Sequence, residues 1–195
     1  VDNYYALLRQ MTILKGMGVN SVRTSHNPPS TEWIEVCDRL GIVMLVEAFD
    51  SWSQGKSTYD YGRFFTKWGD ADIKEMVYEA RNSPAVAMWS IGNEIPGFTS
   101  AAGVKTAGQL IDGIHSLDTS RPIVAGSDRY RSVPATGSAA DQILLELDGL
   151  GLNYESAQAL DELHAKYPTK FFFESESSSE ESTRGVYQDP QDANT

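Results

Sequence analysis

Two carboxylates sit where chemistry is easiest to justify. The run Ala85-Val86-Ala87-Met88-Trp89-Ser90-Ile91 ends abruptly in Gly92-Asn93-Glu94. A buried strand that delivers polar side chains to one end of a sheet reads this way. Far downstream, Lys170-Phe171-Phe172-Phe173 passes into Glu174-Ser175-Glu176 in the same manner. Desolvating a carboxylate in such a place is costly, so each acid is either ion-paired or used for chemistry that needs a shifted pKa. A pair of acids at the ends of two buried strands is what glycoside hydrolysis requires. One protonates the leaving oxygen, and the other attacks the anomeric carbon or activates water.

The elements needed to hold such a pair alternate along the chain. Leu7, Met11 and Leu14 recur at helical spacing over residues 4–16, and Gly16 and Gly18 suit the stop. Val19 to Ser25 reads as a short strand. The next helix starts near Thr31 with Ser30 as N-cap and stops at Gly41, ahead of a buried strand from Ile42 to Val46 that leads into Glu47-Ala48-Phe49-Asp50. A loop containing Ser51-Trp52 and Tyr59-Asp60-Tyr61-Gly62 precedes a helix from about Asp70 to Arg81, and then comes the strand ending at Glu94. The second half predicts a helix over 104–117, a strand over 122–125, an irregular loop over 128–140, a strand over 148–153, a helix over 157–166 and a last strand from Lys170.

Six strands separated by helices, several of them apolar throughout, predict an α/β protein with a parallel sheet. No Gly-x-Gly-x-x-Gly follows a first strand, which removes the usual dinucleotide reading of a doubly wound sheet. Arg23, Glu47, Asp50, Asn93, Glu94, Asn153 and Glu176 all fall at C-terminal strand ends, as in a barrel whose strands contribute to one site. A complete barrel takes about 250 residues. The expected fold is therefore a partial TIM (β/α)₈ barrel, short by roughly two βα units.

Composition narrows the function. The 195 residues carry a formal charge of −11, which argues against a nucleic-acid partner. No apolar run approaches the roughly 20 residues that span a bilayer, so a soluble protein is expected, with the compartment (cytoplasmic, or periplasmic or secreted) left open. The start at Val1 reads as a cut from something longer. Cys37 is the single cysteine and lies at helical spacing among apolar residues, an inert core thiol. No H-x-x-x-H and no clustered histidines supply metal ligands, so no metal or other cofactor is expected.

Arg23-Thr24-Ser25-His26-Asn27-Pro28, Cys37-Asp38-Arg39-Leu40-Gly41, Glu47-Ala48-Phe49-Asp50, Arg81-Asn82-Ser83-Pro84, Trp89-Ser90-Ile91-Gly92-Asn93-Glu94 and Ser182-Thr183-Arg184-Gly185-Val186-Tyr187 occur in that order. Together they resemble the catalytic barrel of glycoside hydrolase family 2, which contains β-galactosidases, β-glucuronidases and β-mannosidases. The resemblance covers essentially the whole chain. It implies that the first and last strands here are the family's second and seventh, so that the chain lacks strands 1 and 8. Residues 1–176 would be the partial barrel and 177–195 a loop and tail, with β-sandwich domains of the full-length parent as partners and an oligomer possible. Taken alone, such a piece would expose two sheet edges and is expected to be marginally stable, with little activity.

The resemblance also implies roles. Glu94 would be the acid/base, and Asn93 would bond the sugar hydroxyl beside the anomeric carbon. Glu176 would be the nucleophile, selected over Glu174, Glu180 and Glu181 by its spacing back from Arg184-Gly185-Val186-Tyr187. Strand geometry alone leaves Glu174 open, because Glu174 and Glu176 share a face if the strand continues regularly. Arg23, His26, Asn27, Asp50 and Tyr154 complete the substrate-binding set, Tyr154 as the tyrosine that bonds the nucleophile. Arg23 could equally neutralise buried carboxylates, His26 could cap the helix after Pro29, Glu47 could be a structural partner for an arginine, and Trp52 could be a sugar-stacking wall or a loop anchor. The expected activity is that of a retaining exo-β-glycosidase acting on a carbohydrate substrate. β-Galactosides are favoured by motif resemblance, and a glucuronidase, a mannosidase or an inactive fragment are the alternatives. An aldolase-type barrel would need a lysine at a strand end, and Lys170 is at a strand start.

Overall fold

The computed structural model describes residues 2–177. Within them helices and strands alternate strictly: α1 (Tyr4–Gly16), β1 (Ser21–Arg23), α2 (Thr31–Leu40), β2 (Val43–Glu47), α3 (Gly62–Ala80), β3 (Val86–Asn93), α4 (Ala101–His115), β4 (Ile123–Ser127), α5 (Ala139–Glu146), β5 (Gly149–Asn153), α6 (Ala157–Lys166) and β6 (Phe171–Glu176). The six strands are all parallel and lie side by side in chain order. A doubly wound sheet reverses its strand order at a switch point. Sequential order with crossovers of one hand instead keeps every helix on one face and curls the sheet into an arc of a (β/α) barrel. The fold is a partial TIM barrel.

The main core lies between sheet and helices. Met44, Val46, Trp89, Ile91, Ile123, Ala125, Leu150 and Leu152 project from the outer sheet face onto Met11, Cys37, Ile73, Val77, Ile114 and Ile143. Burial pushes the Cys37 thiol up to about 11, so it stays protonated in that core. Leu45 and Val124 are also buried but belong to the concave face.

Several element boundaries differ from the sequence reading. Helix α3 begins eight residues before Asp70, at Gly62, because the Asp60 carboxylate accepts the Gly62 N–H at 2.9 Å. Helix α5 occupies residues read as loop and connection, with the Ser138 hydroxyl accepting the Asp141 N–H at 3.2 Å. Ser30 precedes α2, but its side chain makes no cap bond. Strand β1 is only three residues long, and β6 runs on to Glu176. The expected tail lies outside the described residues from 178 onward, as does the motif at 182–187.

Candidate active site

Every strand but β4 delivers a charged or amide side chain to the same rim. Glu47, at the end of β2, has no solvent exposure. Its Oε2 accepts from Arg23 Nε at 3.1 Å, Arg23 Nη2 at 3.0 Å and Ser90 Oγ at 2.7 Å, while Oε1 faces His26 Nδ1 at 2.7 Å. A buried carboxylate so fully bonded acts as a fixed anchor: it orients the Arg23 fork and the His26 ring.

Arg23 then reaches across the sheet. Nη1 donates to Glu176 Oε1 at 2.9 Å, and Nη2 to Asn93 Oδ1 at 2.7 Å. Asn93 is the hub of the rim. Its Oδ1 also accepts from Asn153 Nδ2 at 3.0 Å, and its Nδ2 faces Asp50 Oδ1 at 3.2 Å and His26 Nε2 at 3.3 Å. The crossing of Arg23 and Asn93 occurs directly over Gly126, where a Cβ would sit 2.5 Å from Arg23 Nη2 and 3.0 Å from Asn93 Oδ1. Strand β4 thus contributes by having no side chain at that point.

The two candidate acids are held differently. Glu94 sits in the left-handed region at φ 43°, sparsely populated for a residue with a Cβ, and its Oε1 accepts from Asn153 Nδ2 at 2.9 Å. Glu176 accepts from Arg23 on one oxygen and from the Tyr154 hydroxyl on the other. Burial works to raise the Glu176 carboxyl, but the Tyr154 and Arg23 hydrogen bonds and the Arg23 charge outweigh it and hold it below the usual carboxylate range. It is therefore ionised at neutral pH. Tyr154 also takes the left-handed region, at φ 61°.

Two irregularities aim these residues. Between Ser90 and Asn93 the register of β3 against β4 slips by one residue, so Asn93 pairs with Gly126 on the concave side. In β6, Glu174 pairs with Leu152 but Glu176 pairs with the very next residue, Asn153. The intervening Ser175 donates to Asn153 Oδ1 at 2.5 Å, while Glu174 is exposed. The strand does not continue regularly, so Glu174 and Glu176 take registers opposite residues that point to different faces.

The family model for the TIM barrel domain of glycosyl hydrolases family 2 matches residues 3–195. The chain belongs to this family. A β-galactosidase, BoGH2A, from Bacteroides ovatus is 33% identical across 97% of this chain and 25% of its own length. Human β-glucuronidase is 30% identical across 71% of the chain and 21% of its length. The crystal structure of a family 2 member from Bacteroides cellulosilyticus superimposes with a TM-score of 0.83 at 38% identity, covering 90% of this chain and 22% of that one. The chain spans about a quarter of the length of these relatives.

Of the residues singled out in this family 2 barrel, Arg23, His26, Asp50, Asn93, Glu94, Tyr154 and Glu176 share one hydrogen-bonded cluster. Asn27 does not join it: it is exposed, and its backbone N–H bonds Thr24 O at 3.1 Å. Arg23 does both of the things expected of it, pairing with a structural carboxylate and with Glu176. His26 caps no helix. Trp52 is an anchor rather than a wall, 3% exposed and donating to Ile91 O at 3.0 Å. His115 and His164 are exposed. The sequence reading missed Ser90, Gly126, Ser175 and Lys56. The polar strand-end position of Ser90 could have marked it, and nothing local marks the others. Among the described residues no group of three His, Cys, Asp or Glu is placed to hold a metal ion, and no helix is long and apolar enough to cross a membrane.

Proposed function

We propose that this chain is the catalytic part of a retaining exo-β-glycosidase that removes terminal β-galactosyl residues, with Glu176 as nucleophile and Glu94 as acid/base. The single observation that carries the reading is the placement of Glu176, gripped by Arg23 and Tyr154 and linked through Asn93 and Asn153 to Glu94. In the first step the Glu176 carboxylate attacks the anomeric carbon while Glu94 gives its proton to the departing oxygen. In the second, Glu94 takes a proton from water, the water oxygen bonds the anomeric carbon, and Glu176 leaves as carboxylate. This chemistry needs the two carboxyl groups about 5 to 5.5 Å apart. The galactoside preference is supported by the Bacteroides ovatus β-galactosidase, which aligns along nearly the whole chain. Glucuronide is the second reading, supported by the β-glucuronidases that align along 60–71% of it. We place the chain inside a longer enzyme whose β-sandwich domains and remaining strands complete the site.

The test is to treat the full-length enzyme with activated 2-deoxy-2-fluoro-β-galactoside and β-glucuronide in parallel and map the label by mass spectrometry. A glycosyl group on Glu176 from the galactoside supports the whole reading. A label from the glucuronide alone replaces the sugar, a label on Glu174 replaces the nucleophile, and product of inverted configuration overturns the mechanism.

A further inference from the structure

Lys56 lies in the loop after β2, and its ammonium reaches the rim of the site. Nζ donates to Asp50 Oδ1 at 2.5 Å and to the Asn93 backbone carbonyl at 3.0 Å. The loop is built to hold it there. Asp60 folds back so that its carboxylate accepts the backbone N–H groups of Lys56 at 2.5 Å and Ser57 at 3.0 Å as well as that of Gly62. Gly55 makes room for this, since a Cβ there would sit 2.5 Å from Asp60 Oδ1. On the other side Trp52 pins the loop to β3.

Stability does not explain such construction. The Lys56 and Asp50 side chains are 28% and 45% exposed, and ion pairs of that kind contribute about 0 to 1 kcal/mol. The pair instead presents complementary groups to whatever enters the site. Among the described residues, two of the three Lys56 N–H groups are used, and Asp50 Oδ2 carries no hydrogen bond. One cationic donor and one anionic acceptor therefore stand side by side, next to Asn93 and one residue away from Glu94.

We propose that Lys56 is a specificity-determining residue of this site: with Asp50 it forms a donor–acceptor pair that reads two neighbouring hydroxyls of a neutral sugar ring. The inference rests on the glycosidase reading above and deepens it. One hydroxyl accepts from the ammonium and its neighbour donates to Asp50, an arrangement a diol satisfies and a carboxylate does not. A sugar carboxylate here would gain an ammonium already half neutralised and would face the Asp50 charge directly. Burial works to raise the Asp50 carboxyl, but the hydrogen bonds from Lys56 and Asn93 and the charges of Lys56 and His26 hold it lower, so it is ionised when substrate binds.

The test compares full-length wild type, Lys56→Met, Lys56→Arg and Asp50→Asn on an aryl β-galactoside, its mono-deoxy analogues and the matching aryl β-galacturonide. Losing a charged hydrogen bond to a hydroxyl predicts a fall in kcat/KM of about 10- to 100-fold for Lys56→Met, expressed mainly in KM, with partial recovery in Lys56→Arg. One deoxy analogue should be poor for wild type yet no worse for Lys56→Met than the parent sugar, and a different one should behave so for Asp50→Asn. An unchanged pattern of discrimination across the deoxy series overturns the proposal, leaving Lys56 as a loop pin. Selective loss of galacturonide turnover in Lys56→Met overturns it in favour of carboxylate recognition. If wild type hydrolyses none of these galacto-configured substrates, the β-galactoside reading falls, and this inference with it. Should Lys56→Met fail to fold, the wild-type deoxy series against Lys56→Arg still decides.

Discussion

At the N-terminal ends of the strands, polar side chains are tied largely to backbone. Asp38 accepts the Ala85 N–H at 2.9 Å, Asp148 accepts the Ile123 N–H at 2.8 Å, and Arg121 donates to Val86 O at 2.7 Å and Ser83 O at 3.1 Å. Asp118 collects the Ser120 N–H and hydroxyl, Arg121 and the Trp89 indole N–H. At the C-terminal ends the same six strands carry a network made mainly of side chains bonding one another, with Asp50, Lys56 and Glu176 partly open to solvent. Bonds to backbone fix where the chain goes. Bonds among side chains leave groups that a ligand can borrow. The difference separates an end that holds the barrel together from the end where the proposed site lies, although both are clusters of charge.

Mutations that move activity and stability apart sharpen this contrast. Glu176→Gln in the full-length enzyme should lower kcat by about 10⁴-fold or more, since an amide cannot attack the anomeric carbon, while the melting temperature holds because Arg23 keeps Glu47. A matching loss of Tm would make Glu176 structural. Glu47 lies at the candidate-site end but is wholly buried, so Glu47→Leu should move both properties together. Leaving Arg23 without its anchor should cost about 3–5 kcal/mol in denaturant titrations and abolish turnover as well. Asp118→Asn, at the opposite end, should cost roughly 1–3 kcal/mol with kcat per folded molecule unchanged; a changed kcat would show that the two ends are coupled.

Acid should expose the same asymmetry. Burial alone would raise the Asp118 carboxyl, but Ser120, Arg121 and Trp89 hold it well below the usual range. Its folded-state pKa is thus depressed, so its contribution is fully present above the unfolded value of about 4 and fades as pH falls below it. The stability gap between wild type and Asp118→Asn should accordingly narrow in melts taken from pH 5 down to about pH 2. A gap that widens on acidification would contradict the assignment. The smallest effect is expected at Glu174. Exposed and on the other register, Glu174→Gln should leave turnover within about a factor of two, and a large loss would reopen the choice between the glutamates.

The architecture was legible because apolar runs and helical spacing mark each element, and because acids at apolar strand ends, at Glu94 and Glu176, are too costly to be accidental. What stayed hidden involves backbone register and distance. Helix α3 starts early through an Asp60 contact that looks like ordinary loop composition. Lys56 is one lysine in an exposed stretch, and its partner lies six residues back through a turn that only the folded loop defines. Gly126 matters for what crosses above it, contributed by β1 and β3. The different registers of Glu174 and Glu176 come from an extra residue, which a period-two pattern cannot register.

That extra residue has a consequence for anyone building a glycosidase from ideal parts. A regular eight-stranded scaffold carrying Phe-Glu-Ser-Glu on one strand would reproduce the composition of β6 but alternate its side chains strictly, so Ser175 and Glu176 could not both face the lumen. The transplanted acid would then miss Arg23 and Tyr154 while every residue matched the original. The irregularity must be copied together with the side chains, because in a regular strand Ser175 would take the register opposite Asn153 and push Glu176 one residue on, to the outer face.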